Sequence, residues 1–133
     1  MVKGQAFLAL VFLIGSIIIL VGVTLAIIIN TSVDTSYGYQ AAIQAQAVAT
    51  AGVEDALLQL DRNPSFPTGS YSFSVASSTA NVSITQGSGA TAGKITILSS
   101  ATVNGRTRKL SVVAAQDATT TGDINIISWQ TTQ

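Results

Sequence analysis

The sequence contains neither cysteine nor histidine among its 133 residues. Their absence excludes disulfide bonds, thiol nucleophiles, zinc sites of the usual kind and histidine acid–base chemistry. Charged residues are also scarce, at 9%, and six cationic side chains balance six acidic ones, so the formal net charge is zero. Nothing in this balance points to a nucleic acid or to an acidic partner. We therefore expect no enzyme, no metal, no cofactor and no nucleic-acid partner.

The hydrophobic residues are concentrated near the N-terminus. Residues 6–29 carry no charge, and 17 of these 24 are Leu, Ile, Val or Phe. As a helix this segment is about 36 Å long, enough to cross a hydrocarbon core of about 30 Å. Lys3 precedes the segment and Asp34 is the first charge after it, so the positive-inside rule predicts a cytoplasmic N-terminus. We predict a transmembrane helix over residues 6–29.

Two simpler interpretations of the apolar segment stay open. A cleaved signal peptide would have an apolar core of roughly 7–15 residues and a small-residue cleavage site, whereas this run is longer and no such site follows Ile29. A plain membrane anchor explains the segment without any further function. A contact with another helix, beyond anchoring, is indicated by three small residues on one helical face. Gly15, Gly22 and Ala26 leave a notch there into which a second helix could pack.

A second helical pattern runs from Gln40 to about Arg62. Seven of the 16 residues in 41–56 are alanine, the best helix former. A stripe of larger residues recurs at helical spacing and is predicted to pack on a sheet. The stripe consists of Tyr39, Ile43, Val53, Leu57 and Leu60.

The faces away from this stripe are rich in alanine. Ala47 and Ala51 suit close packing against neighbouring helices, although an exposed alanine-rich stalk is the simpler alternative. Asn63-Pro64 is expected to end the helix, since the residue before proline avoids the α region. The sequence leaves open whether the helix is continuous through residues 30–38, because Ser and Thr there weaken a helix without forbidding it.

The C-terminal half alternates apolar and polar residues, which predicts half-buried strands. The strands are expected at 71–75, 80–84, 95–103, 107–113 and 124–129. Asn104-Gly105 is a strong signal for a tight hairpin turn between two of them. Residues 86–93 and 117–123 are predicted to be loops. The expected fold class is α+β, a long N-terminal helix packed on an antiparallel sheet of four to five strands.

The order of these features resembles type IV pilins and type II secretion pseudopilins. Lys3-Gly4 ends a short basic leader directly before the apolar helix. Residues 47–57, AVATAGVEDAL, look like a small-residue segment of PilX-like minor pilins. The sheet region is similar too, with residues 100–108 running into an apolar strand and Trp129 near the end. The likeness covers most of the chain.

The resemblance implies a division into a prepilin-type leader (1–4), a long helix (5–62, with 6–29 in the membrane or the filament core) and an extracytoplasmic sheet domain (63–133). It implies cleavage by a prepilin peptidase after Gly4 and methylation of Gln5. The expected partners are copies of the chain or other pilins, the inner membrane and the pilus assembly machinery. The family usually has a glutamate at the fifth mature position, where this chain has Ala9.

Two smaller charged clusters have alternative interpretations. Arg106, Arg108 and Lys109 form a basic cluster that is suited to an acidic surface or to phosphates, but a solvated hairpin edge is the simpler expectation. Glu54 and Asp55 either pair with a cation at a subunit contact or only keep the helix soluble.

The favoured function is thus a structural subunit of a filament on the cell surface, held in the membrane with its N-terminus in the cytoplasm before assembly. The alternative is a single-pass membrane anchor whose outer domain binds a ligand and does not polymerise. Major pilin, minor pilin and pseudopilin are not distinguished, nor are a bacterial and an archaeal source, glycosylation, or roles in adhesion, motility, DNA uptake or secretion.

Overall fold

The computed structural model describes residues 2–88, 92–116 and 123–132, and the side chains from residue 4 onward. One helix precedes five strands, which confirms the expected α+β class. The elements are α1 (Val2–Arg62), β1 (Gly69–Val75), β2 (Ser78–Gln86), β3 (Lys94–Val103), β4 (Arg106–Gln116) and β5 (Ile124–Thr132). The central parts of both predicted loops, 89–91 and 117–122, lie outside the described residues.

Helix α1 is continuous through residues 30–38, the stretch that the sequence left open. Hydroxyl groups there bond to the helix's own backbone. Thr31 Oγ1 donates to the carbonyl oxygens of Ile27 and Ile28, at 3.2 and 2.9 Å, and Thr35 Oγ1 donates to that of Thr31 at 2.8 Å. Side chains that bond back to the preceding turn satisfy their hydroxyls without interrupting the helix.

By compactness the chain divides into two units, Met1–Tyr37 and Gly38–Gln133. The first unit is the apolar part of α1 and its polar extension. The second unit contains the rest of α1 and the whole sheet, so the sheet's hydrophobic core includes helix residues from Ala41 to Leu60.

The sheet is an antiparallel meander in which the strands lie in chain order, β1-β2-β3-β4-β5. The tight turn between β3 and β4 is the predicted one: Asn104 and Gly105 have φ of 47° and 76°, and Val103 pairs with Arg106. Two positive φ angles are what a two-residue hairpin turn of this kind requires, and Asn-Gly adopts them at little cost.

The helix packs on the sheet through a face of small residues. Its buried positions are Ala41, Ala45, Val48, Ala49, Gly52, Val53, Ala56 and Leu60. The predicted stripe is therefore only partly right: Val53 and Leu60 are buried and Leu57 packs partly on the core, but Tyr39 is 67% exposed and Ile43 50%. The contact face lies to one side of the large residues because alanine and glycine let the helix approach the sheet more closely.

Gly52 lies at a point of close approach between α1 and the sheet. A Cβ atom added at Gly52 would lie 2.6 Å from Ser99 Oγ on β3, and 3.0 Å from both Ala80 Cβ and Val82 Cγ2 on β2. Ser99 is fully buried, and its hydroxyl has no hydrogen-bond partner. An unpaired buried hydroxyl is destabilising, so Ser99 weakens the contact that its small size permits.

Candidate functional site

The apolar segment 6–29 is the largest uncovered hydrophobic surface within the described residues. All 17 of its large side chains are exposed, from 48% at Ile14 to 73% at Phe12. By length and composition the helix is long and apolar enough to cross a membrane. A soluble monomer rarely leaves so large an apolar surface in water, so this segment needs lipid or other protein around it.

The small-residue notch in this segment is open within the chain. Apart from the adjacent residues and the backbone of the same helix, no described atom lies within 4 Å of a Cβ added at Gly15 or Gly22, and Ala26 is exposed. The two hydroxyl side chains nearby are satisfied internally: Ser16 Oγ donates to the carbonyl of Leu13 and Thr24 Oγ1 to that of Leu20, both at 2.8 Å. The hydroxyl groups of this segment therefore need no partner from outside the helix, and the notch leaves room for the backbone of a second helix.

The other two predicted packing residues lie in the second unit, away from the sheet. Ala47 is exposed and Ala51 is half-buried, one helical turn apart. Neither belongs to the buried core, whereas Val48, Ala49 and Gly52 beside them are buried. The helix thus has two small-residue surfaces here, one already used by the sheet and one open to a neighbour.

The predicted cleavage site lies between Gly4 and Gln5, and both residues are among those whose side chains the structure describes. Gly4 and Gln5 are helical and exposed, and nothing lies within 4 Å of a Cβ added at Gly4. The side chain of Lys3 lies outside the described residues. Among the described residues, none outside the helix covers the peptide bond after Gly4.

The basic cluster lies at the start of β4. Arg106 and Arg108 are on the helix-facing side of the strand, the same side as the buried Leu110, and Lys109 is on the opposite side. The guanidinium of Arg106 reaches α1, since its Nη2 lies 3.0 Å from the position of a Cβ at Gly38. The two arginines share one face, and the lysine does not join them.

Asp55 bonds within the chain rather than to a cation. Tyr71 Oη on β1 donates to Asp55 Oδ2 at 2.8 Å, and Gln59 Nε2 donates to the same oxygen at 2.6 Å. Burial, then the hydrogen bond to Asp55 and the charge of that carboxylate, raise the pKa of Tyr71 well above its ordinary value. Asp55 and Tyr71 thus connect α1 to the first strand.

This bond predicts a loss of stability at alkaline pH. The unfolded chain releases the Tyr71 proton near pH 10, whereas the folded chain holds it to higher pH, so the contribution is complete below pH 10 and is lost progressively above it. We expect the free energy of unfolding to fall more steeply above pH 10 in the wild-type chain than in Tyr71→Phe. Denaturant titrations from pH 8 to 12 would measure it, with Tyr39→Phe as the control at an exposed tyrosine. Equal slopes in all three proteins would contradict the prediction.

A groove that the sequence did not predict lies between the end of α1 and the start of β5. It has a volume of about 380 Å³ and is lined by Leu57, Leu58, Asp61, Asp123, Ile124 and Ile126. Ile126 pairs with the buried Ala114, so its side chain lies on the helix-facing side of the sheet, and it is still 46% exposed. The helix contacts β1, β2 and β3 through Asp55 and Gly52, and leaves this part of β5 uncovered.

Within the described residues, no group of three or more acidic side chains lies close enough to hold a metal ion. Comparison of the chain with protein-family models, with curated proteins and with solved structures gives no match. The functional argument therefore depends on the geometry of the helix and the sheet alone.

Proposed function

We propose that the chain is a structural subunit of a type IV pilus-like extracellular filament, and that it assembles through its N-terminal helix. One observation carries the proposal. The same α-helix contains an apolar segment that nothing in the chain covers and a second part, from Ala41 to Leu60, that packs on a five-stranded sheet. Such a chain has one surface that requires lipid or protein partners and one compact unit with its own hydrophobic core.

The apolar helix can exchange one environment for the other at small cost. Lipid surrounds it before assembly and the helices of neighbouring subunits surround it afterwards, and for leucine and isoleucine the two surroundings are similarly apolar. What favours the filament is close packing, which the notch at Gly15, Gly22 and Ala26 permits. Ala47 and Ala51 would extend the same kind of contact along the part of the helix that carries the sheet.

The remaining assignments follow from this role. Before assembly the chain crosses the inner membrane once, with its N-terminus in the cytoplasm and the sheet outside. A prepilin peptidase removes residues 1–4 and Gln5 becomes the methylated N-terminus. The assembly machinery then moves the helix from the membrane into a filament at the cell surface, where copies of this chain or other pilins are its neighbours.

The mass of the mature N-terminus tests the proposal directly. We expect protein purified from sheared surface filaments to lack residues 1–4 and to carry one methyl group on Gln5. The variant Gly4→Leu is expected to keep its leader, because the enzyme's preferred small residue before the cut is gone, and to stay in the membrane fraction. Mass spectrometry of both proteins reads this out. Filaments built from chains with an intact leader would contradict the processing step.

A monomeric membrane-anchored binding domain is the second candidate, and the open groove at Leu58 and Ile126 favours it. Electron microscopy of sheared surface material separates the two functions. Filaments that contain this chain support the pilin-like role. Finding only monomers, both on the cell and in detergent, would favour the anchored domain and exclude the filament.

A further inference from the structure

The second unit is electrically polar although its formal charge is zero. Residues 38–133 contain five cationic and five acidic side chains. Three of the cations, Arg106, Arg108 and Lys109, lie beside the β3–β4 turn, at what we call the hairpin end. At the opposite end, the groove end, α1 finishes and β5 begins. The charged residues toward that end are Glu54, Asp55, Asp61, Arg62, Lys94 and Asp123. Among the described residues of this unit, no acidic side chain lies at the hairpin end, and the nearest acidic residue along the helix, Asp34, comes one turn before Gly38.

These opposite charges cannot meet inside one molecule. Strand β4 has 11 residues, so its two ends are about 33 Å apart at about 3.3 Å per residue. Arg106 begins β4, while Gln116 at its far end pairs with Ile124, next to Asp123. Within the described part of the chain, neither Asp61 nor Asp123 forms an ion pair, and neither do the three cations of the hairpin end.

The lining of the groove suits an arginine side chain. Its apolar residues, which include Leu57, Leu58 and Ile126, would pack against the three methylenes, and Asp61 and Asp123 in the same lining would pair with the guanidinium. Long cationic side chains bury their apolar stems while the charged end bonds to carboxylates. Arg106 is exposed and lies next to the two-residue turn. Its guanidinium lies beside Gly38 of α1 and would leave that position to enter a groove on another molecule.

We propose that this groove binds the β3–β4 hairpin of a second copy of the chain, with Arg106 and Arg108 paired to Asp61 and Asp123. The inference depends on the proposed filament function, since it names a contact between neighbouring subunits. The contact joins unlike surfaces, the hairpin end of one copy and the groove end of the next. A head-to-tail contact of this kind leaves a free hairpin and a free groove at the two ends, so it extends into a filament when its rotation does not close a ring.

Disulfide crosslinking tests the contact cleanly, because the chain has no cysteine of its own. The variant Leu58→Cys/Arg106→Cys puts one thiol in the groove and one beside the hairpin turn, and retains Arg108, Asp61 and Asp123. These positions are too far apart in one molecule for a disulfide, which needs Cα atoms within about 7 Å. We expect mild oxidation of intact filaments to give a ladder of covalent multimers.

The matched control is Leu98→Cys/Arg106→Cys, whose first thiol lies on the half-exposed outer face of β3. It is expected to give no ladder. Adding Asp61→Lys and Asp123→Lys to the Leu58→Cys/Arg106→Cys variant should reduce the ladder about tenfold or more, since like charges facing each other are strongly unfavourable. A ladder that is insensitive to this reversal would overturn the proposed pairing.

The remaining outcomes separate the two proposals. If filaments form and the ladder does not exceed that of the Leu98 control, the groove contact is wrong and the filament function stands. If the wild-type chain forms no filaments but detergent-solubilised protein gives a charge-sensitive ladder, the contact is right and the filament function is wrong. If neither filaments nor a ladder are found, both are wrong.

Discussion

Replacing Gly52 with alanine is expected to lower the free energy of unfolding of the sheet-containing unit by about 1–3 kcal/mol, the usual cost of overpacking a well-filled core. The added methyl group would lie 2.6 Å from Ser99 Oγ and 3.0 Å from Ala80 Cβ. In an open helix the same change would stabilise by about 1 kcal/mol through helix propensity. The steric cost prevails because Cβ atoms are fixed to the backbone and move only if a whole strand moves.

Denaturant unfolding of the full chain in detergent would measure this effect, and the chain offers its own control. Gly38 is also in α1, but a Cβ there meets only the flexible end of Arg106. Gly38→Ala should therefore leave stability unchanged or raise it by up to about 1 kcal/mol. If Gly52→Ala is as stable as the wild-type chain, the prediction is wrong. If Gly38→Ala is destabilised as much as Gly52→Ala, the close approach at Gly52 is not the cause of the lost stability.

A second substitution distinguishes the atoms responsible. Ser99→Ala removes both the nearest clash and a buried hydroxyl that has no partner. Alone, it is expected to be neutral or stabilising, because no hydrogen bond is lost. Combined with Gly52→Ala it should restore part of the lost stability, leaving the contacts to Ala80 and Val82. No restoration at all would assign the whole cost to those two residues.

Replacing Gly22 with leucine is expected to abolish filaments while the chain still enters the membrane. Leucine favours insertion by a few tenths of a kcal/mol, so the membrane fraction should not shrink. It fills the notch that Gly22 leaves open, where a Cβ would meet no described atom beyond its own stretch of helix, and so prevents a neighbouring helix from approaching closely. The ratio of sheared filament protein to membrane protein, with electron microscopy of the sheared fraction, measures the outcome.

Ile17→Leu serves as the matched control in the same segment. Ile17 is 54% exposed and lies on the face of the helix opposite to Gly15, Gly22 and Ala26, so exchanging one large apolar side chain for another should leave filament yield near that of the wild-type chain. Normal filaments from Gly22→Leu would contradict the role of the notch. An equal loss in both variants would indicate a general sensitivity of the segment rather than a specific contact.

Local signals in the sequence predicted the long helix, its C-terminal end and the β3–β4 turn. The apolar run of residues 6–29 predicted its helix by length alone, and Asn104-Gly105 predicted both its turn and the pairing of the two flanking strands. These signals are local because the backbone conformation they require depends on the residues themselves. The same holds for Asn63-Pro64, where α1 ends within one residue of the predicted position.

The face of α1 that meets the sheet was predicted less well, for a physical reason. The helical spacing of large apolar residues predicted that Tyr39 and Ile43 face the sheet, but both are exposed. The fully buried residues include Ala45 and Ala49, which that pattern does not contain. Small residues carry little hydrophobicity of their own, and their value lies in how closely they let another surface approach. That depends on the partner, here the strand bearing Ser99, which no single segment of sequence specifies.

The groove and the Asp55–Tyr71 bond were missed for a related reason. Tyr71 lies 16 residues beyond Asp55, and the bond exists only because α1 is laid on β1. The groove requires the pairing of β5 with β4 and the absence of helix above β5. Asp61 and Asp123 are 62 residues apart, and no local pattern in the sequence connects them. Tertiary placement brought them to the same groove.

The strand order has a consequence for how the chain folds as it is synthesised. Each strand pairs with the one that immediately precedes it, so every hairpin closes over a short stretch of chain. Contacts that are close in sequence form fast. The helix emerges first, and β1, β2 and β3 then supply the residues that meet Gly52 and Asp55. The domain can therefore be built progressively from α1 outward, with β5, whose groove-lining face stays open, added last.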